Sequence, residues 1–211
     1  MTDSSTETLT SAATARPLTA RGRKTRQKLL RAAESLFGSR GFHGTSIVEI
    51  TRSAGVAQGT FYLYFQSKEE IFGQLVRYLS GELRRALAKA VSGATNRLEI
   101  EARGVREFIR FSAEHRDLYH VVSESQFIDP ALFRWYYERL AKGYSLGLRR
   151  AMDRGEVRGT DPETLAYCLM GASHFLGIRW VAWEGREPPE EVFQSVVDFI
   201  RLGLTPGAGS A

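Results

Sequence analysis

Cysteine is almost absent from this 211-residue chain: Cys168 is the single one, so no disulfide can form within it, and the apolar helical stretch around Cys168 marks it as a buried small hydrophobe. Histidine is scarce and scattered. His115 and His120 stand five apart, on different faces of any helix, while His43 and His174 are isolated, which leaves no set at metal-ligand spacing. Also missing are a G-x-x-x-x-G-K phosphate loop, a G-x-G-x-x-G turn after a strand, a G-x-S-x-G elbow, and any period-two pattern to carry them. The expectation is therefore of no catalytic residue, no metal and no cofactor. Nor is there an uninterrupted apolar run. The longest, Leu165 to Ala182, contains Ser173, His174, Arg179 and two glycines, and reads as a buried helix rather than a membrane span. The first twenty residues are rich in Ser, Thr and Ala without the apolar core of a signal peptide, so a cytoplasmic protein with no membrane partner is expected.

What the chain does have is positive charge in one place. The formal net charge is +5, and residues 21–70 hold nine Lys or Arg against four Asp or Glu, so this segment alone accounts for +5. From Arg21 to Arg31 six positive residues occur with no acidic one, either as a solvated helix start or as an arm along a phosphate backbone. Just downstream, Thr45 to Phe65 contains two short helical patterns around Gly55. Ile47 and Ile50 share one face of the first, Gly55 supplies the positive φ of a sharp turn, and Phe61 and Phe65 are expected on the inward face of the second helix. Gln58, Thr60, Tyr62 and Tyr64 remain outward, and all can hydrogen-bond to a phosphate or a base edge. Arg23, Lys24 and Gly59 complete the residues expected at double-stranded DNA. Ser46 with Glu49, and Ser67 with Glu70, predict capping boxes that open helices.

The segment from Thr25 to Leu75 resembles the TetR family of bacterial transcriptional regulators. Ala32-Ala33, Leu36-Phe37, Gly41-Phe42, Thr45-Ser46-Ile47, Ala54-Gly55-Val56, Gly59-Thr60, Tyr62, Tyr64-Phe65 and Lys68-Glu69 carry the likeness, over about a quarter of the chain. It implies that Tyr64, Lys68 and the outward hydroxyls of Thr45 or Ser46 hold phosphates, leaving Gln58, Thr60 and Tyr62 to base edges. One departure is Ala57, where the family often has Ser or Thr; the helix it precedes lacks a cap oxygen, a loss of roughly 1 kcal/mol.

The remainder reads as helices bounded by recognisable punctuation. Asp129-Pro130 opens a helix that ends at Gly155, Asp161-Pro162 opens the next, and Pro188-Pro189 the last. The final two, Thr164 to Trp183 and Glu190 to Leu204, carry more apolar surface than one core needs and fit a homodimer built as a four-helix bundle. The expected fold is all-α: a disordered tail over 1–20, a three-helix DNA-binding domain with a helix-turn-helix over 21–67, a larger helical effector-binding and dimerisation domain over 68–205, and a flexible end over 206–211. The resemblance also implies an effector pocket in the aromatic-rich middle, with Phe108, Phe111, Tyr119, Phe127, Tyr137, Tyr144, His174 and Phe175 as candidate walls. A weaker likeness over His115 to Tyr119 and Ala172 to Gly177, to members controlled by acyl-CoA, suggests a hydrophobic effector such as a long-chain acyl-CoA, with Arg110, Arg116, Arg134 and Arg179 as candidates for its head group. The function expected is an effector-released repressor of a palindromic operator. A ligand-independent or architectural DNA binder, and an enzyme on a helical bundle, stay open as alternatives.

Overall fold

Six helices open on a short polar side chain that accepts the amide proton of its third residue: Thr19, Ser46, Ser67, Asn96, Asp129 and Asp161. The computed structural model describes residues 18–206, and every regular element among them is helical. These are α1 (Ala20–Arg40), α2 (Ile47–Ala54), α3 (Gln58–Phe61), α4 (Lys68–Ala90), α5 (Arg97–Glu114), α6 (Leu118–Ile128), α7 (Pro130–Asp153), α8 (Pro162–Gly177), a π-helical turn (Ile178–Ala182) and α9 (Glu190–Leu204). None of the described helices is long and apolar enough to cross a membrane. The expected tail and flexible end lie outside the described residues, except at their inner edges. There Thr19 already caps α1, which starts at Ala20.

The Ser46 box is reciprocal: Ser46 Oγ accepts from Glu49 N, and Glu49 Oε2 accepts from Ser46 N at 2.9 Å. The second predicted box is not. Glu70 passes over Ser67 and accepts from Gln66 N at 2.7 Å, while Ser67 still caps Glu70 N. Helix α3 is shorter than expected. It stops at Phe61, and Phe65 lies beyond it, yet the chain tightens through turns from Tyr62 to Tyr64 so that both rings stay buried, 5.6 Å apart.

Phe37, Phe61, Phe65 and Phe72 are fully buried in a core built from α1 to α4 that continues along α4 through Leu75, Leu79 and Leu83 to α6 and α7. At about 25 cal/mol per Å² of apolar area, each such ring contributes roughly 2 to 3 kcal/mol. A second core gathers Val105, Ile109, Leu148, Leu169 and Ile200 from α5, α7, α8 and α9. Helix α4 thus has its first turns in the basic bundle and its remainder against the larger one. Cys168, expected to be buried, is exposed on α8, as are Tyr167 and Phe175; the apolar helix has one side packed and one side bare.

The corner between α5 and α6 presses on α1. A Cβ on Gly38 would fall 2.0 Å from Asp117 Cγ, so only glycine permits this approach. Beside it His115 Nδ1 lies 2.7 Å from Glu34 Oε1, with the imidazole stacked on Phe111. The Glu34 hydrogen bond holds the His115 pKa above its usual 6.5, against desolvation and with help from the charges of Glu34, Glu114 and Glu82; Asp117, itself raised by burial, adjoins the same carboxylate. A raised histidine pKa adds stability in full below the unfolded-state value, and that stability fades as pH climbs through the folded-state value. The melting temperature should therefore fall as pH rises above about 6.5. In His115→Gln this part of the pH dependence should disappear; an unchanged slope in a pH series of melting curves would contradict the assignment.

Candidate nucleic-acid interface and internal cavity

Gly55 turns α2 into α3 with φ 65°, and its amide closes on Arg52 and Thr51 carbonyls. The turn leaves Gln58 and Gly59 exposed, Thr60 half-buried and Tyr62 exposed on one side of the bundle. A Cβ on Gly59 would meet nothing within 4 Å, so the backbone there can be approached closely. Ala57 caps α3 with no side-chain hydrogen bond, leaving its first amides free of any protein oxygen from that position. Arg23 and Lys24 are exposed in the first turns of α1, so the basic run is a helix start. The Tyr64 hydroxyl adjoins Gly22 there, placing it beside those charges.

Three residues expected to offer free polar groups, Thr45, Lys68 and Ser46, are already engaged. Thr45 is buried, its hydroxyl donating to Leu36 O at 3.1 Å and Gly41 O at 2.9 Å, so it secures the turn after α1 instead of pointing outward. Lys68 Nζ donates to Phe42 O at 2.8 Å and Thr45 O at 2.9 Å and lies 4.3 Å from the centre of the Phe42 ring. Both side chains hold the start of α2 in place, with one ammonium proton left over on Lys68. The Ser46 hydroxyl donates to Glu49 Oε2 at 2.7 Å, although the residue stays exposed in an open groove that also includes His43, Gly44, Glu49 and Lys68.

The larger bundle holds a half-open cavity of about 450 Å³ between α4, α5, α7 and α8. Of the candidate wall residues, Phe108, Tyr137, Tyr144 and His174 line it. The other four do not. Phe111 and Tyr119 are buried in the surrounding cores, Tyr119 behind His174 at 5.3 Å between rings, whereas Phe127 and Phe175 are 84% and 71% exposed on the outer surface. Nor does any of the four proposed arginines reach the cavity; Arg110 is bridged to Glu107 and Glu114, and Arg179 to Glu184. Exposed Arg84 lies at its edge instead. Among the described residues no cluster of His, Cys, Asp or Glu is placed to hold a metal ion.

The profile of the bacterial regulatory proteins of the tetR family matches residues 29–75, the stretch that carries the helix-turn-helix. Residues 29–75 thus match the DNA-binding segment of the TetR family of transcriptional regulators. Over 195 residues it is 28% identical to the uncharacterized HTH-type transcriptional regulator YdgC of Bacillus subtilis, covering 88% of this chain and 95% of that one. Identity to the HTH-type transcriptional repressor KstR2 of Rhodococcus jostii is 25% over 194 residues, 87% of this chain and 91% of the relative. The fold is that of a candidate fatty acid metabolism regulator from Clostridium perfringens, with a TM-score of 0.72 at 22% identity over 84% of this chain and 98% of that one. The family consists of DNA-binding regulators and not of enzymes.

The space inside the bundle comes from missing side chains. Gly143 and Gly147, four apart on α7, and Gly104 on α5 all line the cavity. That i, i+4 glycine pair was a legible signal. Less legible is the polar pair at one wall, Arg97 and Glu101 of α5, which looks like an ordinary surface ion pair in sequence but is 5% and 2% exposed. Arg97 Nε donates to Glu101 Oε1 at 2.6 Å and the Tyr144 hydroxyl donates to Oε2. Burial raises the Glu101 pKa, against the pull of Arg97, and burial likewise raises those of Tyr144 and Tyr137, the last to about 12, and lowers that of His174. At neutral pH the cavity is thus walled by neutral phenols and imidazole, with Arg97 and Glu101 buried together at one side.

Proposed function

We propose that the chain is a homodimeric repressor, joined through α8 and α9, that leaves its palindromic operator when a small molecule with an apolar body enters the cavity. The carrying observation is that cavity and its position. Leu83, Leu87 and Val91 line it from the C-terminal half of α4 and the residue after it, while Ile71, Phe72 and Leu75 of the same helix lie in the core shared with α1 to α3. A ligand that fits only one tilt of α4 favours one spacing of the two recognition helices, and hence binding to or release from successive major grooves. A domain whose only task was to dimerise has no use for 450 Å³ of internal space, which speaks against a ligand-independent DNA binder. We read residues 21–67 as the DNA-binding domain and 68–205 as the effector and dimerisation domain.

A long-chain acyl-CoA is the effector we put forward, with its chain inside and its phosphate-bearing head outside, near Arg84; relatives described as a repressor and as a fatty acid metabolism regulator support the reading. Acyl-CoAs of graded chain length should release DNA in gel shifts, and a coupling of about 1 to 3 kcal/mol corresponds to roughly 5- to 150-fold weaker operator binding. Tyr137→Ala should alter the dose response, and Phe127→Ala, on the outer surface, should not. Release by free coenzyme A as efficient as by its esters would remove the acyl-CoA from the account.

At the operator, Gln58, Gly59, Thr60 and Tyr62 meet base edges, with Arg23, Lys24, Ser46, Tyr64 and the spare proton of Lys68 along phosphates. Gln58→Ala should relax preference at one base position at a cost of roughly 1 to 3 kcal/mol. Lys68→Ala should instead weaken all sequences alike and also lower the melting temperature, because two carbonyls lose their donor. Unchanged ranking of operator variants by Gln58→Ala would refute its role.

A further inference from the structure

The two ends of the cavity differ in what their polar groups already hold. Helices α5 and α7 run antiparallel along it: a Cβ on Gly147 would lie 2.7 Å from Arg97 Nη1, and the Tyr144 hydroxyl reaches Glu101, so Phe108, two turns further along α5, lies toward Tyr136 and Tyr137 at the start of α7. At the first end the polar groups satisfy one another, because Arg97 and Tyr144 both bind the Glu101 carboxylate. At the other end they do not. Tyr136, Tyr137 and His174 line the cavity there, with the Tyr137 ring centred 5.1 Å from Tyr136 and 6.0 Å from His174, and none of the three side chains hydrogen-bonds to another described residue. Among the described residues, the side-chain polar atoms sealed off without a partner are Ser80 Oγ and Arg97 Nη2, so the two hydroxyls and the imidazole nitrogens are open. Tyr136 is only 4% exposed as a residue, which leaves the cavity as the space its hydroxyl opens into. Their neighbours are spoken for. Tyr119, behind His174, donates its hydroxyl to Ser112 Oγ at 3.3 Å, and Ser173 donates to Leu169 O at 3.0 Å.

We propose that the effector bears an uncharged hydroxyl, alcoholic or phenolic, on the part of its body that enters the cavity, and that this hydroxyl is seated among Tyr136, Tyr137 and His174. This rests on the cavity being the effector site, and it makes a hydroxylated acyl chain a better occupant than a plain one. A plain alkyl chain would take three polar side chains from water and give them no partner, which is costly. Each tyrosine hydroxyl and a neutral imidazole both donate and accept. A ligand hydroxyl answers both needs, whereas an ether or ketone oxygen answers the donors alone. Burial lowers the His174 pKa and raises those of Tyr136 and Tyr137, so all three are neutral at pH 7. A carboxylate would therefore meet no cation at this end, since Arg97 is tied to Glu101 at the other and Arg84 is exposed at the edge.

Four probes on one carbon skeleton test this: propylbenzene, 4-propylphenol, 4-propylanisole and 4-propylbenzoate, titrated calorimetrically into the full-length protein. The phenol should bind roughly tenfold more tightly than propylbenzene, the gain expected from two neutral hydrogen bonds, with the anisole between them and the benzoate no better than the hydrocarbon. Tyr136→Phe together with Tyr137→Phe keeps both rings and removes both hydroxyls, so the protein should stay folded while the advantage of the phenol shrinks to about threefold or less. Adding His174→Leu should abolish it. Tyr144→Phe, at the end where the polar groups are already paired, should leave it in place. Equal affinity for phenol and hydrocarbon in the wild-type protein would overturn the proposal and leave the cavity as an effector site. So would an anisole that binds as tightly as the phenol, a benzoate that binds tightest, or a phenol advantage that survives the loss of Tyr136, Tyr137 and His174 but not that of Tyr144. Absence of binding by all four would remove the effector-site reading itself, and the proposal with it.

Discussion

Phe175→Glu combined with Phe199→Glu is expected to give a monomer at micromolar concentration and to lower operator affinity by roughly three orders of magnitude. Both rings stand on the bare sides of α8 and α9, 71% and 69% exposed, and Leu202 of α9, at 71%, and Tyr167 of α8 are exposed as well. Exposed apolar area of this size on two helices that both pack against α5 is what an unformed interface looks like. In a two-fold dimer each substituted side chain occurs twice, so two residues worth about 2 kcal/mol apiece change the association by at least 4 kcal/mol, and unpaired carboxylates add to that. Operator binding falls with it because one half-site contacts too few base pairs to hold a monomer. Sedimentation equilibrium and a gel shift on the same sample suffice. A dimer that survives both substitutions would place the interface elsewhere.

Phe61→Ala should cost roughly 3 to 5 kcal/mol and abolish DNA binding. Helix α3 has four residues and no side-chain cap, far below the length at which a helix holds by itself. What keeps it in position is the Phe61 ring, fully buried against Phe65 at 5.6 Å and Tyr62 at 5.4 Å. Removing the ring leaves a void beneath the residues proposed to face DNA. Thermal melting followed by operator titration should show a lower midpoint and no binding even below it; retention of wild-type affinity would mean that α3 is held by the turns on either side.

How much of this was legible in sequence follows from what each feature depends on. Helix boundaries depend on neighbours in the chain. Ser46, Asp129 and Asp161 cap where expected because their oxygens need only an amide three residues on, and Gly55 turns because its own φ is free. The local clustering of charge and the pattern from Ala32 to Lys68 are likewise properties of the chain itself, and they pointed to a DNA-binding regulator. Periodicity also shows which side of a helix is apolar, but not what that side meets. Phe111, Tyr119, Phe127 and Phe175 looked the same as Tyr137 and Tyr144 in one dimension; packing sent two into the cores, two to the outer surface and two to a cavity wall. Thr45 and Lys68 turned inward because carbonyls left over after α1 lay within reach, a need that arises only once α1, α2 and α4 are assembled. The burial of Arg97 with Glu101 belongs to the same class. The Glu101 carboxylate is shared between Arg97 on its own helix and Tyr144, 43 residues from Glu101 on another, a meeting settled by tertiary packing and by nothing in the local sequence.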